Sequence, residues 1–185
     1  FLLCQDDFAG AEAAWSRALR LARRVGNSQI ECWCLLDESE TRLGRLDLDG
    51  AEGALTLALQ IPTQTQDGYS TIEKQRMLAR LRLARGRLDE ALAACEVVFD
   101  MVHAQPPAGY HWADFYATTV EVVLDLLEYE TDFARAHHRR LRSRARTGCR
   151  RLQRMARRFG NVEIRAQTLR ARLDWIEGRR PQAEQ

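Results

Sequence analysis

The chain of 185 residues is 45% hydrophobic and 29% charged, enough apolar matter for one ordinary domain or a short repeat array and too much for a disordered chain. No stretch of about 18 uncharged apolar residues occurs, so no membrane partner is expected. The formal charge of +2 hides a polarised distribution: residues 135–158 carry eleven arginines and no acid, and +2 less 11 leaves −9 on the remainder. Such asymmetry points to an acidic partner or to self-complementarity within the chain. Lys74 is the only lysine, so the preference for arginine is chain-wide.

Ala, Leu, Arg and Glu dominate while prolines number four, a composition that favours helix over sheet, and the fold class expected is all-α. The opening FLLCQDDF has no initiator Met, basic region or cleavage pattern, so it reads as the middle of a longer protein. Five cysteines at irregular spacing (Cys4, Cys32, Cys34, Cys95, Cys149) imply neither a disulfide framework nor structural zinc, and a cytoplasmic location is expected from them.

Taken in chain order, DDFAGAEAAWSRAL (6–19) opens a helix whose small and apolar residues Ala11, Trp15 and Ala18 recur at helical steps. Gly26-Asn27-Ser28 breaks it and offers an N-cap to an amphipathic helix at 29–44. LDLDGAEGALTLAL (46–59) then repeats the first pattern, 70–86 repeats the second, and GRLDEALAACEVV (86–98) repeats the first again. Ala11, Ala51 and Ala91 stand forty residues apart, and EGRRPQAEQ brings Ala183 to the same role. An Ala at a helix crossing lets two backbones approach, and the larger residue one turn later fills the groove beside it. Gly44, Gly86 and Gly178 are expected in left-handed conformation after the first helix of each pair. AQPPAGYHW (104–112) cannot continue a helix, and repeats on its two sides are expected to stack at an altered angle without forming separate domains. A buried helix follows at 113–129, then a long basic one at 132–159, the break Gly160-Asn161, and an amphipathic helix at 163–178. The units run approximately 1–27, 28–68, 69–105, 110–160 and 161–185.

Candidate chemistry along this frame is sparse. His137-His138 point about 100° apart on a helix and lack a carboxylate cluster, so a solvated surface is expected, as for His103 and His111. Cys32 and Cys34 splay on a helix and read as core. Asp47-Leu48-Asp49-Gly50 is too short for a calcium loop, and Asp6-Asp7, Asp37-Glu38-Glu40 and Asp47-Asp49 read as turn and cap residues. Neither GxxxxGK[ST] nor GxGxxG occurs. No catalytic residue, cofactor or metal is expected, and a stand-alone helical enzyme is the reading the residues favour least. The arginines of 135–158 interleave with Leu141, Leu152, Met155 and Phe159, which leaves one apolar stripe to pack; Arg139, Arg142, Arg146, Arg150 and Arg154 form a candidate basic docking surface. An Arg-rich helix without a recognised motif gives only sequence-independent attraction to nucleic acid, so the residues favour a solvated structural helix first and docking to an acidic protein surface second.

Trp33 and Leu36 in one helix, and Ala51, Leu55 and Ala58 in the next, match the signature positions of a tetratricopeptide repeat, which these helix pairs resemble; the period near forty and the longer turn GRLDLDG depart from it. The resemblance implies antiparallel helix pairs stacked as a right-handed solenoid. The stretches GNSQIECWCLLDESETRLGRLD, DGYSTIEKQRMLARLRLARGRLDEAL, PPAGYHW to VEVVLDLLE, and RRLQRMARRFGNVEIRAQTLRARLDWIEGRR together resemble the C-terminal helical region of bacterial proteins. Those proteins join a class III adenylyl or guanylyl cyclase domain to an AAA-type or STAND ATPase and then to such repeats. The resemblance implies a non-catalytic interaction and regulatory scaffold; the array of a STAND-type transcriptional regulator is the alternative. Concave positions carried over residue by residue are Glu31, Cys34, Glu38, Thr41, Arg42, Glu73, Arg76 and Arg80, facing a protein or peptide. Charge reversal at Arg76 and Arg80 is expected to weaken partner binding without lowering helicity.

Overall fold

The computed structural model describes residues 7–62, 68–104, 110–129 and 135–179. All regular structure among them is helical: α1 (Phe8–Val25), α2 (Ser28–Gly44), α3 (Leu48–Gln60), α4 (Gly68–Ala84), α5 (Leu88–Ala104), α6 (Tyr110–Tyr129), α7 (Arg135–Ala156) and α8 (Glu163–Ile176), with a 3-10 turn at Gly160–Val162 before the last. The chain divides into two compact units, Phe1–Arg87 and Leu88–Gln185. Each predicted helix is found within a few residues of its expected bounds. Residues 105–109 of the proline loop lie outside the described residues, as do Cys4, Asp6 and Ala183.

In the first unit α2 packs against α1, α3 and α4, and α3 also touches α4. The repeated alanines explain the approach. Ala51 and Ala58 are fully buried on α3, and with no bulk at either position the α3 carbonyls come within reach of α2: Ser39 Oγ donates to the Ala51 carbonyl at 2.9 Å, and the Cys32 thiol meets the Ala58 carbonyl at 3.8 Å. Leu35, Leu36, Leu43, Leu55, Met77 and Leu81 fill the space between, with Trp15 and Ala18 of α1 packed against them. Full burial of each such leucine contributes roughly 2 kcal/mol. Lys74, buried on α4, donates from Nζ to the carbonyl of Ile61 at 2.7 Å, placing a cation at the C-terminal end of α3.

The second unit is built on α6, which packs against α5, α7 and α8. Tyr116, Ala117, Val120, Val123, Leu124 and Leu126 are wholly buried there. α7 packs tightly on α6 at Gly148, where a Cβ would lie 2.5 Å from Val120 Cγ2. Across the proline loop, Phe99 of α5 meets Tyr116 of α6 edge to face, ring centroids 5.4 Å apart. The interruption therefore falls inside a compact unit, and the boundary between units lies at the short Gly86-Arg87 turn instead. α6 and α8 are laced by charge: Arg165 donates to both Glu121 carboxylate oxygens (2.8 and 2.7 Å) and to Thr118, and Arg172 reaches Asp125 and Glu128.

One turn closes four helices. The amide of Asn27 bonds the Ala22 carbonyl, Asp47 bonds Arg42, Arg87 bonds Arg82 and Arg179 bonds Asp174, always five residues back. The residue before each donor is left-handed: Gly26, Leu46, Gly86 and Gly178, with φ between 63° and 77°. Gly86 and Gly178 thus behave as expected, whereas Gly44 does not. It is the last residue of α2, and a side chain there would strike the Phe8 ring 2.6 Å away; Leu46 carries the left-handed conformation in its place. The two extra residues of GRLDLDG supply the reason, since they move the turn two positions past the glycine. A second repeated device starts α1 and α3. Asp7 accepts from the Gly10 amide (2.8 Å) and Asp47 from the Gly50 amide (3.0 Å), and in both helices the glycine leaves room for the capping carboxylate. Asn27 caps α2 through the Ile30 amide as its position suggested. Asn161 of the Gly160-Asn161 break does not cap α8: the 3-10 turn places Val162 at that position without a side-chain bond.

Candidate functional site

Two clusters of charged side chains stand out, one in each unit. In the first unit, α2 presents Trp33 and Glu40 to α4. Trp33 Nε1 donates to Ser70 Oγ at 2.8 Å and its ring meets Tyr69 edge to face at 5.4 Å. Two turns on, Glu40 receives Arg76 (2.8 Å) and Arg80 (2.6 Å). Arg76 is 4% exposed and is also held by Glu73, 8% exposed, with Nε donating at 2.8 Å. Burial alone would raise the Glu40 pKa, but Arg76 and Arg80 outweigh it and bring it to about 2. Burial likewise works to lower that of Arg76, and Glu73 and Glu40 together hold it well above its ordinary range.

The candidate positions carried from the repeat resemblance divide sharply here. Glu73, Arg76 and Arg80 come together on α4. Glu31 lies elsewhere, paired with Arg23 of α1 at 2.8 Å. Glu38 and Arg42 pair with each other, and Arg42 also reaches Asp47 at 2.9 Å. Cys34 and Thr41 are buried, the threonine hydroxyl donating back to the Asp37 carbonyl, so neither side chain faces open solvent. Arg76 is not an open contact residue either: its guanidinium is enclosed between two carboxylates, so reversing its charge would disrupt the packing of α2 on α4 rather than leave the helices intact. Sequence reasoning read Glu40 as a turn or cap residue, yet it is the centre of this cluster. A signal existed, because Glu40 and Arg80 are forty residues apart, opposite charges at one repeat period.

In the second unit, α7 turns Leu141, Ala145, Cys149, Leu152 and Met155 inward. Cys149 gives its thiol to the Leu169 carbonyl of α8 at 3.6 Å, and burial raises its pKa to about 11. On the flank toward α5, Arg140 and Arg144 pair with Glu96, and Arg144 lies over the Phe99 ring. Arg151 donates to the Val102 carbonyl and lies over Tyr116, 5.6 Å from the ring centre. The structure places all five candidate docking arginines on the solvent side. Arg146 is bonded at 2.6 Å to Glu177; Arg139, Arg142, Arg150 and Arg154 are exposed and, among the described residues, make no ion pair. The polarised charge is thus partly self-satisfied, through Glu96, Asp100 and Glu177, and partly left facing water.

Where α7 ends beside α8, a cleft of about 250 Å³ is lined by Gln153, Ala156, Arg157, Glu163, Ala166 and Gln167. Among the described residues no three His, Cys, Asp or Glu side chains are grouped to hold a metal ion, and Cys32, Cys34, Cys95 and Cys149 are buried free thiols. The side chains of His103, His111 and His137 lie outside the described set. No described helix is long and apolar enough to cross a membrane. Comparison with protein-family models, with curated proteins and with solved structures finds no match.

Proposed function

We propose that this chain is a non-catalytic interaction scaffold, a tetratricopeptide-like array of helix pairs that regulates a multidomain signalling protein of the cyclase-ATPase kind. The observation that carries the scaffold reading is the recurrence of one local design: the same six-residue closing turn after α1, α2, α4 and α8, joined to small residues at the α2–α3 crossing. A chain that repeats its closing turns while varying its surface charges uses the helices as a frame and the surface for recognition. In such an array successive pairs stack in a right-handed solenoid, and the partner is a protein or peptide, including a neighbouring domain of the same polypeptide. The cyclase-ATPase parent rests on the sequence resemblance.

The test is cyclic-nucleotide production by the natural polypeptide containing this segment, by a version lacking it, and by that version with the segment supplied in trans. A rate that changes on deletion and returns on add-back supports a regulatory arm of a cyclase. Absence of cyclic nucleotide in every version rejects that parent and favours the STAND-type regulator.

A further inference from the structure

Resting on the reading of the chain as an interaction module, we propose that the outer face of α7 docks an acid-rich helical segment of a partner protein. Arg139, Arg142, Arg146, Arg150 and Arg154 recur at three- and four-residue steps, opposite the stripe of Leu141, Ala145, Cys149, Leu152 and Met155 that faces the core. At 1.5 Å per residue the row runs about 22 Å along one side of the helix.

The arginines of α7 are sorted by position. Arg140 and Arg144, on the inner flank, are matched by acids of α5, so the unit supplies carboxylates wherever its own packing brings them. Among the described residues the outer row receives one, Glu177 at Arg146; Arg139, Arg142, Arg150 and Arg154 make no ion pair, and Arg150 donates from Nε only to the Arg146 carbonyl at 3.3 Å. Like charges at such spacing repel along a helix, and a first turn without an acid forgoes the favourable end of its dipole. An anionic partner relieves both. Guanidinium forks suit carboxylates bidentately, and glutamates at the same three- and four-residue steps on a facing helix match the row in pitch. Between the arginines stand Ser143 and Gln153, both exposed. The row thus holds no aromatic ring on which the bases of a single strand would stack, and no duplex-reading motif accompanies it, which favours a polypeptide over a nucleic acid.

Fluorescence anisotropy of a labelled Glu-rich helical peptide of about 20 residues against the whole chain tests this. Binding should weaken steeply between about 50 and about 200 mM NaCl. The double variant R142E/R150E should bind about tenfold more weakly or worse, whereas R17E/R20E, the same change of net charge on exposed α1 positions, should stay within about twofold. A Lys-for-Glu version of the peptide should bind R142E/R150E in preference to the unaltered chain. R142E/R150E should melt no lower than the unaltered chain, since it removes repulsion, which separates lost docking from lost folding. Absence of peptide binding overturns the proposal, as does equal loss in R17E/R20E. Displacement of the peptide by duplex DNA that binds more tightly overturns it in favour of nucleic acid. Peptide binding without control of a cyclase rejects the parent protein alone; cyclase control without peptide binding rejects this docking face alone.

Discussion

Replacing Arg76 by Met removes the shared cation from between Glu40 and Glu73 while keeping most of the side-chain length. Because Arg76 is 4% exposed and bonds both acids, the loss resembles breaking a buried ion pair from one side, which costs about 3–5 kcal/mol. Further replacement of Glu73 by Leu should recover most of that loss, since an apolar substitute for a buried pair is close to neutral. The pH dependence gives an independent reading. Glu40 has its folded pKa lowered to about 2 from an ordinary 4.5, so its contribution is complete above 4.5 and disappears as pH falls toward 2; the shift corresponds to about 3 kcal/mol. In R76M Glu40 keeps Arg80 but loses the larger of its two stabilising cations, so the fall in stability between pH 4.5 and 2 should be smaller than in the unaltered chain. Urea unfolding of the intact chain, followed by tryptophan fluorescence and by circular dichroism at several pH values, measures both effects. A loss under about 1 kcal/mol at pH 7, or an R76M profile parallel to the unaltered chain, would refute the reasoning.

Leu46→Gly should stabilise the first unit by about 1 kcal/mol, because Leu46 is 83% exposed and held at φ 63°, where a Cβ is unfavourable; calorimetry should show a higher transition temperature. Asp47→Ala should cost about 1 kcal/mol by uncapping α3, measured by urea unfolding, and Glu38 should then be the remaining partner of Arg42. Gly148→Ala should lower stability by about 1–3 kcal/mol despite the better helix propensity of alanine, since the new methyl meets Val120 at 2.5 Å; a rise in melting temperature would contradict that close contact. The buried thiols of Cys32, Cys34, Cys95 and Cys149 should be alkylated only as the chain unfolds, with burial pushing the Cys95 thiol far above its usual range; mass spectrometry of modified peptides against denaturant follows each one.

The helices themselves were legible from the residues alone. Apolar spacing located every helix described, and the alanines forty residues apart marked the crossing at α3, because a small residue recurring at helical steps has few physical uses other than close packing. Asn27 and Asp47 were equally readable as caps, being local devices decided within three residues. The basic row of α7 could be drawn from spacing, since its face follows from where Leu141 and Leu152 must go. What escaped was everything settled between helices. Gly44 and Leu46 exchanged roles: the left-handed residue falls two positions past the glycine, and Gly44 instead leaves room for the Phe8 ring, a contact between segments far apart in the chain. Glu40, read as a turn residue, became the partner of two arginines on α4, and Arg76, read as an open contact, became enclosed by that same pairing. Which arginines of α7 are satisfied depended on Glu96, Asp100 and Glu177 being carried to its flank. By itself, then, the sequence determined periodicity, capping and helix-forming composition, which act over a few residues; only the tertiary structure decided which charges meet, because pairing depends on distances that packing alone sets.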